Sequence, residues 1–104
     1  MIYIHKALRG VDGVLSFART KEDRVKLSGL YDALKIDTLG TLEVHTVEKM
    51  KATRNTIYEI TLKSMRIFYV QEGSDICLVH LSYKQKNKTE KKDIKTADNR
   101  AGQL

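Results

Sequence analysis

Proline and tryptophan are absent from this chain of 104 residues, and cysteine occurs once, at Cys77. A single cysteine excludes an internal disulfide, and its place in an apolar stretch predicts a buried, reduced thiol. No stretch approaches the roughly 18 consecutive apolar residues that a membrane-spanning helix needs. Residues 1–6 are too mixed in character for a signal peptide. These absences predict a cytoplasmic protein that has no membrane partner.

Linkers and cofactor-binding patterns are also missing. The sequence has no internal repeat and no Gly/Ser-rich stretch, so we expect residues 1–104 to form one domain. With 41% hydrophobic residues, that domain can bury a core of modest size. There is no glycine-rich phosphate loop, no zinc-ligand spacing and no Ser/His/Asp set. We therefore predict no cofactor and no metal site, and any phosphate binding would depend on side-chain cations.

Positive charge is concentrated near the C-terminus. The formal net charge is +6, and residues 84–104 alone hold seven basic and three acidic residues. This segment directly follows the most apolar part of the chain, and charge of this sign favours polyanionic partners such as nucleic acid. A solvated, lysine-rich tail is the alternative that the charge alone leaves open.

Apolar periodicity predicts a small α+β domain. Apolar residues recur at helical spacing over residues 22–36, where Thr20 or Asp23 can cap the helix. Farther along, alternating residues and a turn at 72–75 predict an antiparallel β-meander. The predicted elements are a strand at 2–7, a short helix at 14–19, the helix at 22–36, strands at 57–62, 65–71 and 76–83, and a terminal helix that Thr89 caps and Gly102 ends. Residues 41–56 are predicted to be irregular, with Val44, Val47 and Met50 directed inward.

The second half of the chain also carries a recognisable series of motifs. They are Tyr58-Glu59, Arg66-Ile67-Phe68-Tyr69, Leu78-Val79-His80, Lys84, Lys88-Thr89, Lys91-Lys92-Asp93-Ile94, Ala97 and Arg100. In order and spacing this series resembles the phage-derived, HigB-like toxins of the RelE/ParE superfamily, and the likeness extends over roughly residues 12–100. It implies a RelE-like small domain, in which an N-terminal strand and helices pack on the antiparallel meander, followed by a C-terminal helix.

The resemblance also implies a function. Such a protein would be the toxin of a type II toxin–antitoxin pair and an endoribonuclease, or mRNA interferase, that cleaves translated mRNA. Its partners would be mRNA, the ribosome and a cognate helix-turn-helix antitoxin. Metal-free cleavage uses the 2′-hydroxyl of the substrate as nucleophile, so the protein must move protons and stabilise charge on the phosphate.

Three residues are candidates for this chemistry. Arg66 is a fixed charge in an apolar strand, and its guanidinium can hold two phosphate oxygens at once. His80 is a candidate general acid or base, although a lone histidine in an apolar strand is often structural. Tyr83 could stack on a base or donate a proton. A five-residue turn at 71–75 would place Arg66 opposite His80, whereas a four-residue turn at 72–75 would place it on the face of Tyr83.

Other residues are expected to bind RNA or to be structural. The predicted phosphate-binding cations are Lys51, Arg54, Lys63, Lys84, Lys86, Lys88 and Lys91. Lys49 could line the same groove. His5 and His45 are isolated, and we interpret both as structural or surface residues. Glu59 could orient Arg66 or cap the sheet edge, and the second role is the one predicted.

Two other function classes remain open. Thr61 stands where the family has an arginine, and Gln85 and Glu90 also depart from the family pattern. These departures favour a protein of the same fold that has lost catalysis and binds RNA or an antitoxin without cleavage. The third class is a ParE-like gyrase inhibitor, which acts on a protein target and cleaves no RNA.

Overall fold

A computed structural model describes residues 1–104 as four helices and five strands. The strands are β1 (Ile2–Ile4), β2 (Thr46–Lys49), β3 (Tyr58–Leu62), β4 (Met65–Glu72) and β5 (Asp75–Tyr83). The helices are α1 (Gly10–Ser16), α2 (Lys21–Ile36), α3 (Thr38–Val44) and α4 (Lys91–Ala101), and a 3-10 turn spans Lys6–Leu8. The predicted α+β class is confirmed.

The strands form one mixed sheet in the order β1-β5-β4-β3-β2. The three predicted strands β3, β4 and β5 pair antiparallel, as a meander should. The N-terminal strand does not pack on this meander but joins it, because β1 pairs parallel to β5 over residues 2–4. The strand is shorter than predicted because the backbone turns at His5 into the 3-10 turn.

The segment between α2 and β3 differs from the prediction that it is irregular. Asp37 ends α2 and also begins α3, since its carboxylate accepts a hydrogen bond from the Gly40 N–H at 3.1 Å. A short helix and the edge strand β2 therefore occupy most of residues 38–49. Val44 is 81% exposed, so its predicted inward position was wrong, whereas Met50 is buried as predicted.

Each face of the sheet carries its own apolar core. On one face, Leu27, Leu30 and Leu34 of α2 pack against β3, β4 and β5. Thr20 is the N-cap of this helix, since its hydroxyl accepts from the Asp23 N–H at 3.0 Å. On the other face, α4 covers a smaller core that contains Phe68 and Val79. Each side chain of the meander consequently lies on either the α2 face or the α4 face.

A β-bulge in β5 decides which face each strand residue takes. The hairpin turns at Gly73 and Ser74 with Glu72 opposite Asp75, which matches the four-residue alternative. The register then shifts by one residue between Phe68 and Tyr69, because Val79 is an extra residue in β5. Arg66 therefore lies opposite Ser82, so it neither faces His80 directly nor shares a face with Tyr83. Arg66 and His80 still share the α4 face, since Phe68 lies opposite His80.

The terminal helix begins one residue later than predicted. Glu90, rather than Thr89, is the N-cap of α4, and its side chain makes no capping hydrogen bond. The Thr89 hydroxyl is used elsewhere, in a buried network described below. None of the helices combines the length and the apolar character required to cross a bilayer.

Candidate functional site

Arg66 lies at the centre of a buried polar network on the α4 face. Its guanidinium donates to Glu59 Oε1 at 2.8 Å and to the Thr89 hydroxyl at 3.1 Å. It also donates to the carbonyl oxygens of Lys86 and Asn87 at 2.9 and 3.1 Å. Arg66 is 5% exposed and Glu59 is 1% exposed, so this ion pair is enclosed. The predicted free, phosphate-gripping guanidinium is instead occupied by acceptors of the protein.

The network fixes the segment between β5 and α4. We call residues 84–90 the lysine loop; two of its carbonyls and its Thr89 hydroxyl all bond to Arg66 or Glu59. Glu59 was predicted to cap the sheet edge, and that prediction was wrong, because its carboxylate orients Arg66 and Thr89. Glu59 Oε2 and the Ser82 hydroxyl are buried without a protein partner, which marks this as a polar, incompletely satisfied region.

The lysine loop forms one wall of a cleft on the α4 face. Glu48, Lys49 and Lys51 form the opposite wall, and Asn87 and Lys88 face them across a space of about 390 Å³. We call this space the basic cleft. No lysine of the cleft takes part in an ion pair of the protein, so each ammonium is free to contact a ligand.

Helix α4 holds the second wall in place. The Asp98 carboxylate accepts hydrogen bonds from the backbone N–H groups of Arg54 and Asn55, both at 2.9 Å. The Asn55 amide donates to the same carboxylate at 2.9 Å. The Arg54 N–H, followed by the Asn55 side chain, lowers the pKa of Asp98. Residues 50–57, which we call loop 50–57, are thereby tied to α4 and present Lys51 to the cleft.

The predicted RNA-binding cations are only partly brought together. Lys51 and Lys88 share the basic cleft, and Arg54 lines an adjoining cleft of about 480 Å³ with Lys49 and Lys51. Lys84, Lys86 and Lys91 are exposed on the lysine loop and the first residue of α4. Lys63 is separate, since its ammonium pairs with Glu22 of α2 at 2.6 Å. Two of the seven predicted cations therefore line the basic cleft, a third lines the adjoining cleft, and the other four lie outside both.

His80 lies on the other flank of α4. Its Nε2 is 2.9 Å from Asp93 Oδ1, and its Nδ1 is 3.3 Å from Arg100 Nη1. Since an arginine can only donate, Nδ1 is the acceptor and the ring proton is on Nε2. Burial lowers the pKa of His80 below its ordinary value of 6.5, against the opposing effect of Asp93. His80 is therefore a neutral ring held between the Asp93 carboxylate and the Arg100 guanidinium of α4.

Tyr83 lies on the α2 face, away from Arg66 and His80. Its hydroxyl donates to Asp23 Oδ2 at 2.9 Å and accepts from the Arg19 N–H at 2.7 Å. Its ring lies between Phe17, at a centroid distance of 5.0 Å, and the Arg19 guanidinium at 4.1 Å. Burial raises the pKa of this phenol. The three candidate catalytic residues thus do not meet in one site.

Sequence reasoning did not single out Glu48 or Asn87. Glu48 falls in the segment predicted to be irregular, so no strand pattern indicated where its carboxylate points. Its pairing with Glu59 across β2 and β3 places it on the α4 face. The structure contains no group of three His, Cys, Asp or Glu side chains close enough to share a metal ion. His5 is structural as predicted, since its buried ring bonds to Gln103 at 2.8 Å.

The fold and the comparisons identify the class of protein. A mixed five-stranded sheet with helices on both faces and a C-terminal helix fits a RelE-like small domain. The chain belongs to the family of phage-derived Gp49-like proteins, whose model matches residues 19–102. This family is part of the RelE/HigB-like toxin superfamily, and its members are commonly toxins of toxin–antitoxin pairs. No curated protein matches the sequence.

Proposed function

We propose that this protein is the toxin of a type II toxin–antitoxin pair and a metal-free endoribonuclease that cleaves translated mRNA. One observation carries the proposal: Lys51 and Lys88 line, without ion-pair partners, a cleft that is also lined by Glu48, which lies on the α4 face. Cations on two walls suit a bent ribose-phosphate backbone, and a carboxylate supplies a proton acceptor. The family assignment indicates an antitoxin as the protein partner.

In the proposed reaction, the residues of the basic cleft have different roles. Glu48 accepts the proton of the substrate 2′-hydroxyl, which attacks the adjacent phosphorus. Lys51 and Lys88 stabilise the charge that develops on the phosphate oxygens. One of the lysine ammonium groups then donates a proton to the 5′-oxygen as its bond to phosphorus breaks. The products are a 2′,3′-cyclic phosphate and a 5′-hydroxyl.

In this scheme, the residues first predicted to be catalytic do not contact the substrate. They act by holding other parts of the protein in position. Arg66 positions the lysine loop, so it is a positioning residue rather than a phosphate ligand. His80 and Tyr83 hold α4 and the start of α2 against the sheet. Lys84, Lys86 and Lys91 remain proposed contacts to flanking phosphates, together with Arg54. The exposed ion pair of Lys63 with Glu22 argues against a similar role there.

Primer extension on an mRNA under translation tests the proposal. We expect cleavage with the native protein, and a loss of roughly 10²–10⁴ in single-turnover rate for Glu48→Gln. RNA affinity should not fall in this variant, because it removes a negative charge from the cleft. The double variant Lys51→Ala/Lys88→Ala should lose both affinity and rate. The matched control is Lys26→Ala/Lys35→Ala, which removes the same charge from the exposed surface of α2.

One observation favours a second candidate, a protein that binds RNA or the antitoxin without cleavage. Arg66 is enclosed and saturated with protein acceptors, so the strongest anion ligand on this face is not free. Intact transcripts, together with unchanged growth of cells that express the protein, would select this candidate. Growth arrest with DNA damage and intact transcripts would instead indicate a gyrase inhibitor.

A further inference from the structure

We propose that a second cleft, separate from the basic cleft, binds a nucleoside monophosphate. The cleft lies beside β5, beyond the point where β1 stops pairing with it at Leu78. Arg9, Phe17, His80, Leu81 and Arg100 line a space of about 490 Å³. We call it the arginine cleft. Its volume lies within the range of small-molecule sites. This inference does not depend on the proposed nuclease activity.

The charge of the arginine cleft suits one phosphate group. Arg9 and Arg100 both line it, and no carboxylate does. Arg100 bonds within the protein only through Nη1, to the Val79 carbonyl at 3.0 Å and to His80 at 3.3 Å. Its Nε and Nη2 are left to a ligand, and Arg9 forms no ion pair. Two guanidinium groups can hold a phosphate through several charge-assisted hydrogen bonds.

The rest of the cleft suits an aromatic ring. Leu8, Phe17 and Leu81 form an apolar wall, and Phe17 is held in place by stacking on Tyr83 at 5.0 Å. A nucleobase can pack on such a wall because every base has an apolar face that stacks on aromatic side chains. A ring attached to a single phosphate thus matches both halves of the cleft.

The backbone at Arg9 gives independent support. Arg9 has a φ of 61°, a left-handed conformation that is unfavourable for a residue with a Cβ. Glycine would adopt this conformation freely, yet the position carries an arginine that points to the cleft. Gly13 lets α1 approach closely, since a Cβ there would lie 1.9 Å from the Leu8 carbonyl oxygen. Ala52 and Lys63 also have a positive φ, but of these three residues only Arg9 lines the arginine cleft.

His80 acts in this cleft as a positioning residue. Asp93 accepts a hydrogen bond from the Nε2–H group, so the Nδ1 lone pair faces Arg100 and accepts from its guanidinium. Arg100 is held by the Val79 carbonyl as well, at the bulge of β5. The Arg100 guanidinium is thus held in position before a ligand binds.

Titration calorimetry and amide chemical-shift mapping with adenosine 5′-monophosphate test the proposal on the full chain. We expect saturable binding that shifts amides around Arg9, Phe17 and Arg100. Inorganic phosphate alone and adenosine alone should each bind at least tenfold more weakly, because each fills half of the cleft. Comparison of 5′-phosphorylated and 5′-hydroxyl trinucleotides separates an RNA end from a free nucleotide as the natural source.

Arg9→Gly is the decisive variant. It removes one guanidinium and relieves the left-handed strain, so we expect at least a tenfold loss of affinity with an unchanged or higher thermal midpoint. Lys26→Ala, on the exposed surface of α2, should leave the affinity unchanged and serves as control. Full affinity in Arg9→Gly, shifts confined to the basic cleft, or equal binding of phosphate and the nucleotide would each overturn the proposal.

Discussion

The Arg66 guanidinium donates to four acceptors, and only Glu59 among them carries a charge. A buried ion pair is not in itself strong evidence of stability, since the cost of removing both charges from water is large. The contacts to the Lys86 and Asn87 carbonyls give this pair a further role. They hold an exposed, lysine-rich loop that has few apolar contacts of its own, and so convert a mobile segment into a cleft wall.

Arg66→Ala is expected to destabilise the protein. It leaves the Glu59 carboxylate buried without its charged partner, which costs about 3–5 kcal/mol. The thermal midpoint should therefore fall by more than about 10 °C, as followed by circular dichroism. The double variant Arg66→Met/Glu59→Leu is the control, since it leaves no unpaired charge and should recover part of the loss. A midpoint within a few degrees of the native value for Arg66→Ala would contradict the buried pair.

His80 is expected to make the protein less stable in mild acid. Burial lowers its pKa in the folded state below the ordinary value of 6.5, so the unfolded chain takes up a proton first as the pH falls. Stability is thus present above pH 6.5 and is lost progressively below it, down to the lowered folded pKa. Chemical denaturation between pH 7.5 and 5 should show a flatter dependence for His80→Asn. His45→Asn is the control and should keep the native slope.

At the scale of elements, α4 organises both clefts. Asp98 on one side ties down loop 50–57, while Asp93 and Arg100 on another side fix His80. Between these sides, Ile94, Ala97 and Ala101 pack on the sheet. A helix with a buried apolar stripe and bonded polar flanks can only occupy one rotation about its axis. The geometry of each cleft is therefore coupled to the same helix.

Asp98→Ala should loosen loop 50–57 without unfolding the domain. It removes the acceptor of the Arg54 and Asn55 N–H groups, which then exchange with solvent. We expect amide hydrogen exchange across the loop to rise at least tenfold, while β4 and β5 stay protected. Asn99→Ala, an exposed change one residue along the same helix, is the control. Unchanged protection in Asp98→Ala would show that the carboxylate does not hold the loop.

The elements also show what local sequence can predict. The periodicity of α2, the alternation of β3 and the apolar runs of β4 and β5 were sufficient, because α2 is long with one buried side and β4 and β5 have buried residues on both faces of the sheet. The edge strand β2 is too short to alternate visibly. The bulge at Val79 depends on packing from both faces of the sheet. The contact between Arg66 and Thr89 forms only in the tertiary structure. The face of each strand residue, and hence the composition of the site, could not be predicted locally.

At the scale of the whole molecule, the α2 face and the α4 face have different roles. The α2 face carries the larger core, and its exposed Lys63 is paired with an acid. On the α4 face, Lys51 and Lys88 share the basic cleft and form no ion pair, whereas α2 presents unpaired lysines such as Lys26 and Lys35 on an exposed surface. Lysines that share one cleft attract a polyanion to that cleft, even though the net charge is only +6.

Salt dependence should reveal this asymmetry. For a single-stranded RNA, each lost phosphate contact reduces the slope of log affinity against log salt by about 0.7. The variant Lys51→Ala/Lys88→Ala should thus reduce the slope by roughly 1.4, measured by fluorescence anisotropy. Lys26→Ala/Lys35→Ala on the opposite surface should reduce it much less. Equal effects of the two variants would mean that binding reflects net charge rather than the cleft.

The extra residue in β5 has a consequence for how related chains must be compared. Were the bulge lost with Val79 retained, Val79 would lie opposite Phe68, His80 and Ser82 would turn to the α2 side, and Leu81 and Tyr83 would turn toward α4. Arg100 would then lose its contact with the His80 ring, and the polar side chains of His80 and Ser82 would enter the apolar core on the α2 side. A related chain that lacks one residue at this point can therefore keep the same side chains on each face by having no bulge, whereas a chain of equal length without the bulge exchanges the two sides of the strand end.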